Sequence, residues 1–577
     1  MASRTRAGAA ATLSRPRTAL VRALGCGVTL GCGLALVLLG STLEASPAIG
    51  SDRGARPALG GDSVAVWILF HAAPADGARL PPALSPEALA LRRARGIPLR
   101  PDDHPLPPSL VSRVRSAGAR IRHESRWLRG VSAWVDPASL GTLAALPEVR
   151  GLAPVERLQR LPARAPAARP SPFRAPAPLL GRGLAPADSA DYGLAWAPLS
   201  RLNVPAAHDL GFTGAGVRMA ILDTGFDPDH ESLAPLTLLG ARDYIGGDDE
   251  VRSEPGEPLD AERHGTWIWS LAGAAAPGEL LGPAYGASWL LAKVDDVLAD
   301  PRADEDRWVA ALEWADSMGV QVVISAVSFR RFDDGFEYPF ATLNGDAAIM
   351  TQAADRAALR GMLVVTQVGD EGPGERTLGV PADADSVLAV GAVDSAGRPL
   401  LFSARGPTAD GRLKPEVVAP GSDLWAASAE ASDEYDRLVL GGTGLATALV
   451  GGGAALVWEA WPTFGPMDVR EALIRSGDRA HTPESGVGHG VPDIGVAILF
   501  PRGFDLTRTD GLDDDGQLST LSPRFHFEAP LTHPLTGQVT YVLELSPDTT
   551  FRDILFSRAE VDVGSMRLLD PLRPGTR

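Results

Sequence analysis

Cysteine is almost absent from this chain. There are two in 577 residues, Cys26 and Cys32, and both lie in one apolar run near the N-terminus. Disulfide stapling and thiolate-held metal clusters are therefore excluded for the rest of the chain. Neither cysteine has leucine three residues before it, which argues against a lipid-attachment box. Basic residues are also scarce: 54 Lys and Arg face 71 Asp and Glu, a formal charge of −17. The first 45 residues carry five Arg and one Glu, so the remainder is more acidic still, at −21. Nucleic acid and anionic membrane surfaces need a basic face, and both are excluded as main partners. No internal repeat is visible.

Arg4, Arg6, Arg15, Arg17 and Arg22 precede the run Ala23–Leu39, and the small residues Ala45, Ser46 and Ala48 follow. That order reads as a secretory signal peptide over 1–48, or else an uncleaved anchor. The expected location is extracellular or periplasmic. The full chain has 63 Gly and 49 Pro, which predict many turns, yet its mean hydropathy of +0.02 fits a folded protein.

Residues 63–156 predict a small α+β unit. Its strands are Val64–Phe70, Ala119–His123, Val131–Val135 and Val149–Val155; its helices are Ser85–Gly96, Pro108–Ala117 and Pro137–Leu146. The stretch 157–190 reads as a linker, with six prolines, six arginines and no acidic residue between 157 and 182. From 191 to 500 short apolar runs alternate with helical stretches. The strands are Val217–Leu222, Trp289–Val294, Val320–Ser325, Leu363–Thr366, Val387–Val393 and Val417–Ala419. The helices are Arg307–Met318, Asp346–Arg360 and Gly444–Trp458. Such alternation predicts an α/β fold, a parallel sheet with helices on both faces. The tail, 501–577, returns to β-like segments at Thr540–Leu545 and Asp553–Phe556.

Three places in the α/β region suit a nucleophilic hydrolase. Ile221-Leu-Asp223-Thr-Gly225 is a strand ending in a carboxylate that can orient an imidazole. His264-Gly265-Thr266 reads as a histidine at a helix start. Gly442-Thr443-Gly444-Leu445-Ala446-Thr447 is a glycine turn opening a helix of small residues.

Together with Phe402-Ser403-Ala-Arg-Gly406-Pro407 and Lys414-Pro-Glu-Val-Val-Ala-Pro420-Gly421, these segments resemble the subtilisin-like serine proteases over about Asp191–Phe500. Residues 63–156, with Ser125-Arg126-Trp127-Leu128 at their middle, are similar to that family's propeptide, a folding chaperone and inhibitor. The resemblance implies a subtilisin-like sheet, a propeptide-like domain acting in cis, and Asp223 and His264 in the charge-relay positions.

The departures matter more. The resemblance puts the family's nucleophilic serine at Gly444 and its oxyanion asparagine at Asp370. Glycine has no side-chain oxygen, and an ionised aspartate accepts where an amide would donate. The family's substrate-lining Ser-Leu-Gly falls on Ala326, Val327 and Ser328, and the serine adds a side chain beside the peptide. Thr443 is one residue out of register and Thr447 a turn further on, so neither replaces the serine. The expected protein is an exported pseudoprotease that binds peptides or proteins. The alternative is an active serine endopeptidase, and a third reading is a metal-binding surface protein. No cofactor is required. Calcium is conceivable at Gly247-Asp248-Asp249-Glu250 or Asp513-Asp514-Asp515, although a bare acidic run reads first as a solvated loop. Trp267 and Trp269 read as packing residues.

Overall fold

The computed structural model describes residues 63–71, 80–155, 189–258, 260–298, 302–331 and 337–499, and the backbone of five short strands beyond them. The expected signal segment, most of the linker and the Asp513–Asp515 run lie outside the described residues. Among the described residues no helix is long and apolar enough to cross a membrane.

The run VAVWILF is apolar at every position because both of its faces are covered. It forms β1 (Val64–Phe70). After it come α1 (Pro86–Ala94), α2 (Pro108–Ser116), β2 (Ala119–Ser125), β3 (Gly130–Val135), α3 (Leu140–Ala144) and β4 (Val149–Pro154). The strands form an antiparallel sheet in the order β2-β3-β1-β4. Val66, Ile68 and Phe70 pack with Leu110 and Val114 of α2 in the domain's own core. Ala65 and Trp67 point the other way and join a core shared with the next domain.

That domain begins with three short helices, α4 (Ser189–Tyr192), α5 (Trp196–Arg201) and α6 (Val204–Asp209). It continues through β5 (Arg218–Asp223), β6 (Thr237–Asp243), α7 (Asp260–Gly273), β7 (Ala275–Ala276), β8 (Leu280–Leu281), β9 (Ser288–Lys293), α8 (Arg302–Ser317) and β10 (Val322–Ser325). The rest is α9 (Ile349–Ala358), β11 (Leu363–Gln367), β12 (Leu388–Val393), β13 (Val417–Pro420), β14 (Leu424–Ala427), β15 (Tyr435–Leu438), α10 (Thr443–Ala460), α11 (Pro466–Arg475) and α12 (Ile494–Leu499). Seven strands pair in parallel in the order β13-β12-β11-β10-β5-β9-β6. Period-two alternation splits the core: Met219 and Ile221 of β5 face α7 and α10, and Ala220 and Leu222 face α8 and α9. Helix α10 is apolar all round because it is buried all round. Gly451 lets it press against β10, where an added Cβ would stand 2.5 Å from Ile324 Cγ1.

The sheet of the first domain sits on α8 and α9 through an unusually ionic interface. Arg92 reaches Asp103 at 2.7 Å and Asp316 at 2.5 Å, and Arg126 reaches Asp316 at 2.5 Å. Arg360 of the second domain answers Asp102 at 2.6 Å and Asp103 at 3.2 Å. Glu313, in α8, accepts from the Ser125 hydroxyl and from the N–H groups of Arg126 at 3.1 Å and Trp127 at 3.3 Å. The Ser125–Leu128 segment is thus the tip of the β2–β3 hairpin, seated on α8.

The strands foreseen from 191 to 500 all form, within two residues at either end. The edge strand β6 and the hairpin β14–β15 were not foreseen. Strand β6 is mostly exposed and carries no apolar alternation, so periodicity could not mark it. Beyond residue 500 lie β16 (Leu506–Asp510), β17 (Arg524–Phe527), β18 (Thr540–Leu545), β19 (Phe556–Val561) and β20 (Ser565–Arg567). They pair as a three-stranded sheet, β16-β17-β20, and a hairpin, β18-β19.

Candidate active site

Parallel sheets offer their functional groups at the carboxyl ends of the strands, and β5 ends on Asp223. This carboxylate is fully buried. Its Oδ1 accepts from the Thr224 N–H at 2.7 Å and lies 2.7 Å from Nδ1 of His264, while Oδ2 has no hydrogen-bond partner. His264 lies in the second turn of α7 rather than at the helix start that the sequence suggested. Its approach to Asp223 requires glycine next to it. A Cβ on Gly265 would overlap the Gly225 carbonyl and come within 2.8 Å of the Phe226 ring. The imidazole remains 37% exposed, so it faces both a buried anion and solvent. Trp267 stands edge-on to it, with ring centroids 6.3 Å apart, and donates Nε1–H to Asp436 at 2.9 Å.

The third segment enters from the β14–β15 hairpin, and Thr443 opens α10. Gly444 follows with its bare Cα toward Ala326 and Ile268; an added Cβ would lie 3.3 Å from Ala326 Cβ and 3.5 Å from Ile268 Cδ1. Asp370 is open to solvent along one edge. Its Oδ1 accepts from the Thr443 N–H at 3.0 Å and lies 2.9 Å from the Thr443 hydroxyl. A carboxylate at the first N–H of α10 also meets the positive end of the helix dipole. Crowding by protein atoms pushes the Asp370 pKa up, against the opposing pull of the Thr443 bonds and His264. Asp370 is thus an acceptor anchored to the helix, and its role in the structure is to fix the start of α10.

Of the three residues after β10, Ala326 and Val327 are buried and Ser328 is half-buried. Ala326 gives its carbonyl to the amide of Gln367 at 2.7 Å, and the same amide's Oε1 lies 2.9 Å from the Thr443 hydroxyl. Val327 turns into the α8–α9 core. Sequence reasoning missed two members of this neighbourhood. Gln367 joins the strand end to α10, and its place at the last residue of β11 was the signal. Glu371, beside Asp370, has its Oε2 buried without a partner, and burial and then the Asp370 charge push its pKa up to about 7.

Among the described residues no three His, Cys, Asp or Glu side chains come together as a metal site. The 247–250 stretch is exposed, with Asp248 and Glu250 accepting from the local backbone at 2.9 Å and 3.1 Å.

A buried aspartate on a histidine, beside a glycine turn that opens a buried helix, can be compared with known proteins. The model of the subtilase family matches residues 214–490, and that of the Peptidase S8 propeptide domain of Bacteroidota matches 65–169. Subtilisin BL of Lederbergia lenta is 32% identical over 278 residues, which cover 48% of this chain and 88% of the relative. Subtilisin of Bacillus pumilus is 30% identical over 291 residues, covering 50% and 91%. Subtilisin E of Bacillus subtilis is also 30% identical over 291 residues, covering 50% and 66%. On the strength of these matches and of its parallel sheet preceded by a propeptide domain, the chain belongs to the subtilase family, Peptidase S8.

Proposed function

We propose that this protein is an exported subtilase-family member that does not hydrolyse peptide bonds and instead holds a peptide or protein segment in its remnant cleft. One observation carries the reading: residue 444, at the start of α10 and in the place the family gives its nucleophile, is glycine. Without a side-chain oxygen no acyl-enzyme can form there. In subtilisin itself, where these effects were measured, removing the serine costs about 10⁶-fold in turnover and removing the oxyanion asparagine about 10²–10³-fold. Asp370 deepens the loss, because an oxyanion needs a donor and this carboxylate is an acceptor. Export rests on the order of charges and apolar residues in 1–48. The ionic seat on α8 and α9 supports an N-terminal domain that stays with the rest of the chain.

A second reading, an active endopeptidase, draws on the Asp223–His264 bond at 2.7 Å, which is the geometry of a general base. The two are separated by intact mass and casein hydrolysis for the natural protein beside His264→Ala, both made in a protease-deficient host. The scaffold reading expects both proteins uncut, with masses that differ only by the substitution, and no hydrolysis from either. A cut between residues 155 and 191 that appears only with His264 present would establish the endopeptidase. Gly444→Ser with Asp370→Asn is expected to gain hydrolysis, since Ala326 need move only a few tenths of an ångström to admit the serine Cβ.

A further inference from the structure

We propose that the cavity between the propeptide domain and α8 binds a small, multiply charged oxyanion, a phosphate or a polycarboxylate, held between guanidinium groups of the two domains. None of its walls belongs to the Asp223–His264–Gly444 site.

The cavity encloses about 390 Å³, within the range of ordinary small-molecule sites. Arg122, His123 and Arg126 of the propeptide domain line one side, and Arg242, Tyr244 and Trp314 line the other. The His123 and Tyr244 rings join the two sides, with centroids 6.1 Å apart. Positive charge is left over at one residue. Arg122 meets Asp306 at 3.1 Å, and Arg126 meets Asp316 at 2.5 Å. Arg242 has no such partner: among the described residues no carboxylate lies within ion-pair reach of it. It is exposed, and its guanidinium carbon stands 5.1 Å from the centre of the Trp314 ring. Stacking of that kind fixes the guanidinium plane and leaves its N–H edge for an oxygen acceptor that can take two bonds at once. Arg126, only 9% exposed, keeps a donor unmet, since its Nε–H is buried with no hydrogen-bond partner. A ligand oxygen would relieve that cost. The two carboxylates at the cavity do not cancel the charge. Glu313 is spent on the hairpin tip, and Glu124 is exposed and faces Arg115 at 3.8 Å. Burial first, and then the Arg122 and Arg307 charges, hold the His123 pKa down to about 3, so its neutral ring can still donate or accept one bond. Because both domains supply walls, an occupant prefers the docked form. At 100 times its Kd it would strengthen docking about 100-fold.

The test is isothermal titration calorimetry of the full-length protein with sodium phosphate, sodium citrate and sodium chloride at matched ionic strength. Phosphate or citrate should bind saturably at one site per chain, and chloride should not. The tighter of the two oxyanions names the ligand's class. Arg242→Ala removes an exposed side chain that belongs to no ion pair, so the protein should fold as before. Its affinity for the oxyanion should fall at least about tenfold. Arg398→Ala, which removes an arginine side chain 80% exposed, should leave the affinity unchanged. The bound oxyanion should also raise the thermal midpoint of the natural protein and not that of Arg242→Ala. Absence of saturable binding by either oxyanion would overturn the inference. Binding that Arg242→Ala leaves within about twofold of the natural affinity would overturn it as well, because the unpaired guanidinium would then hold nothing. Either failure would leave the reading of the cleft intact, since the two places share no residue.

Discussion

Glu313 offers a sharp test of how the propeptide domain is held. Its carboxylate is almost fully buried in α8 and accepts from the Ser125 hydroxyl and the N–H groups of Arg126 and Trp127, with the Arg126 guanidinium 3.7 Å away. Glu313→Ala strands those donors inside the interface, and each buried group left unpaired costs about 1–3 kcal/mol. Removing one partner of a buried ion pair costs about 3–5 kcal/mol. Arg126 keeps Asp316 at 2.5 Å, and burial already pushes the Glu313 pKa up, so part of the ion's desolvation cost is recovered when it is removed. The lower end of the range applies, about 3 kcal/mol, which is a roughly 100-fold loss of docking affinity. After tryptic cleavage among the arginines of 157–182, the two pieces would be followed by size-exclusion chromatography over a dilution series. The natural pieces should co-elute at concentrations where the Glu313→Ala pieces separate, and Glu313→Gln, which keeps one acceptor oxygen, should fall between them. Pieces of Glu313→Ala that hold together within about threefold of the natural affinity would refute the account, because the buried acceptor would then contribute almost nothing.

Glu371 gives a pH prediction. Its folded pKa, about 7, lies above its ordinary value of 4.5, so its contribution to stability is present below 4.5 and is lost as pH rises through 7. The full shift corresponds to a ceiling of about 3 kcal/mol, and partial exposure reduces this to about 1–2 kcal/mol. Glu371→Gln should therefore be more stable than the natural protein by that amount in urea unfolding at pH 8, with most of the difference gone at pH 5; a constant difference across that range would contradict it. Gly451→Ala should cost about 1–3 kcal/mol by overpacking α10 against Ile324, read as a lower thermal midpoint. An unchanged midpoint would mean that α10 can shift without penalty.

Much of the architecture could be read from the order of residues because it is local. The run Val64–Phe70 announced a strand, and the alternation from Val217 to Ala419 announced the parallel sheet, with ends displaced by a residue or two. The edges escaped. Strand β6 and the hairpin β14–β15 are held by neighbours rather than by apolar pattern, and their sequences carry little mark of it. At the site, Asp223 and His264 were singled out from the residues around them, and Gly444 through the family resemblance of the turn that holds it. Gln367 matters only through Ala326 and Thr443, partners distant in sequence, and the burial that shifts Glu371 is set by segments that meet it only in the fold.

The sequence alone determined that residue 444 is glycine and that Asp223 and His264 are present to meet, because these are facts of residue identity. Only the tertiary structure decided that Asp370 is bound to the start of α10 and that Glu313 takes up the hairpin tip of the propeptide domain. The reason is physical. A side chain's chemistry is carried by the residue itself, whereas its partner, its burial and the space around it are set by chain segments that meet only when the sheet and its helices close together.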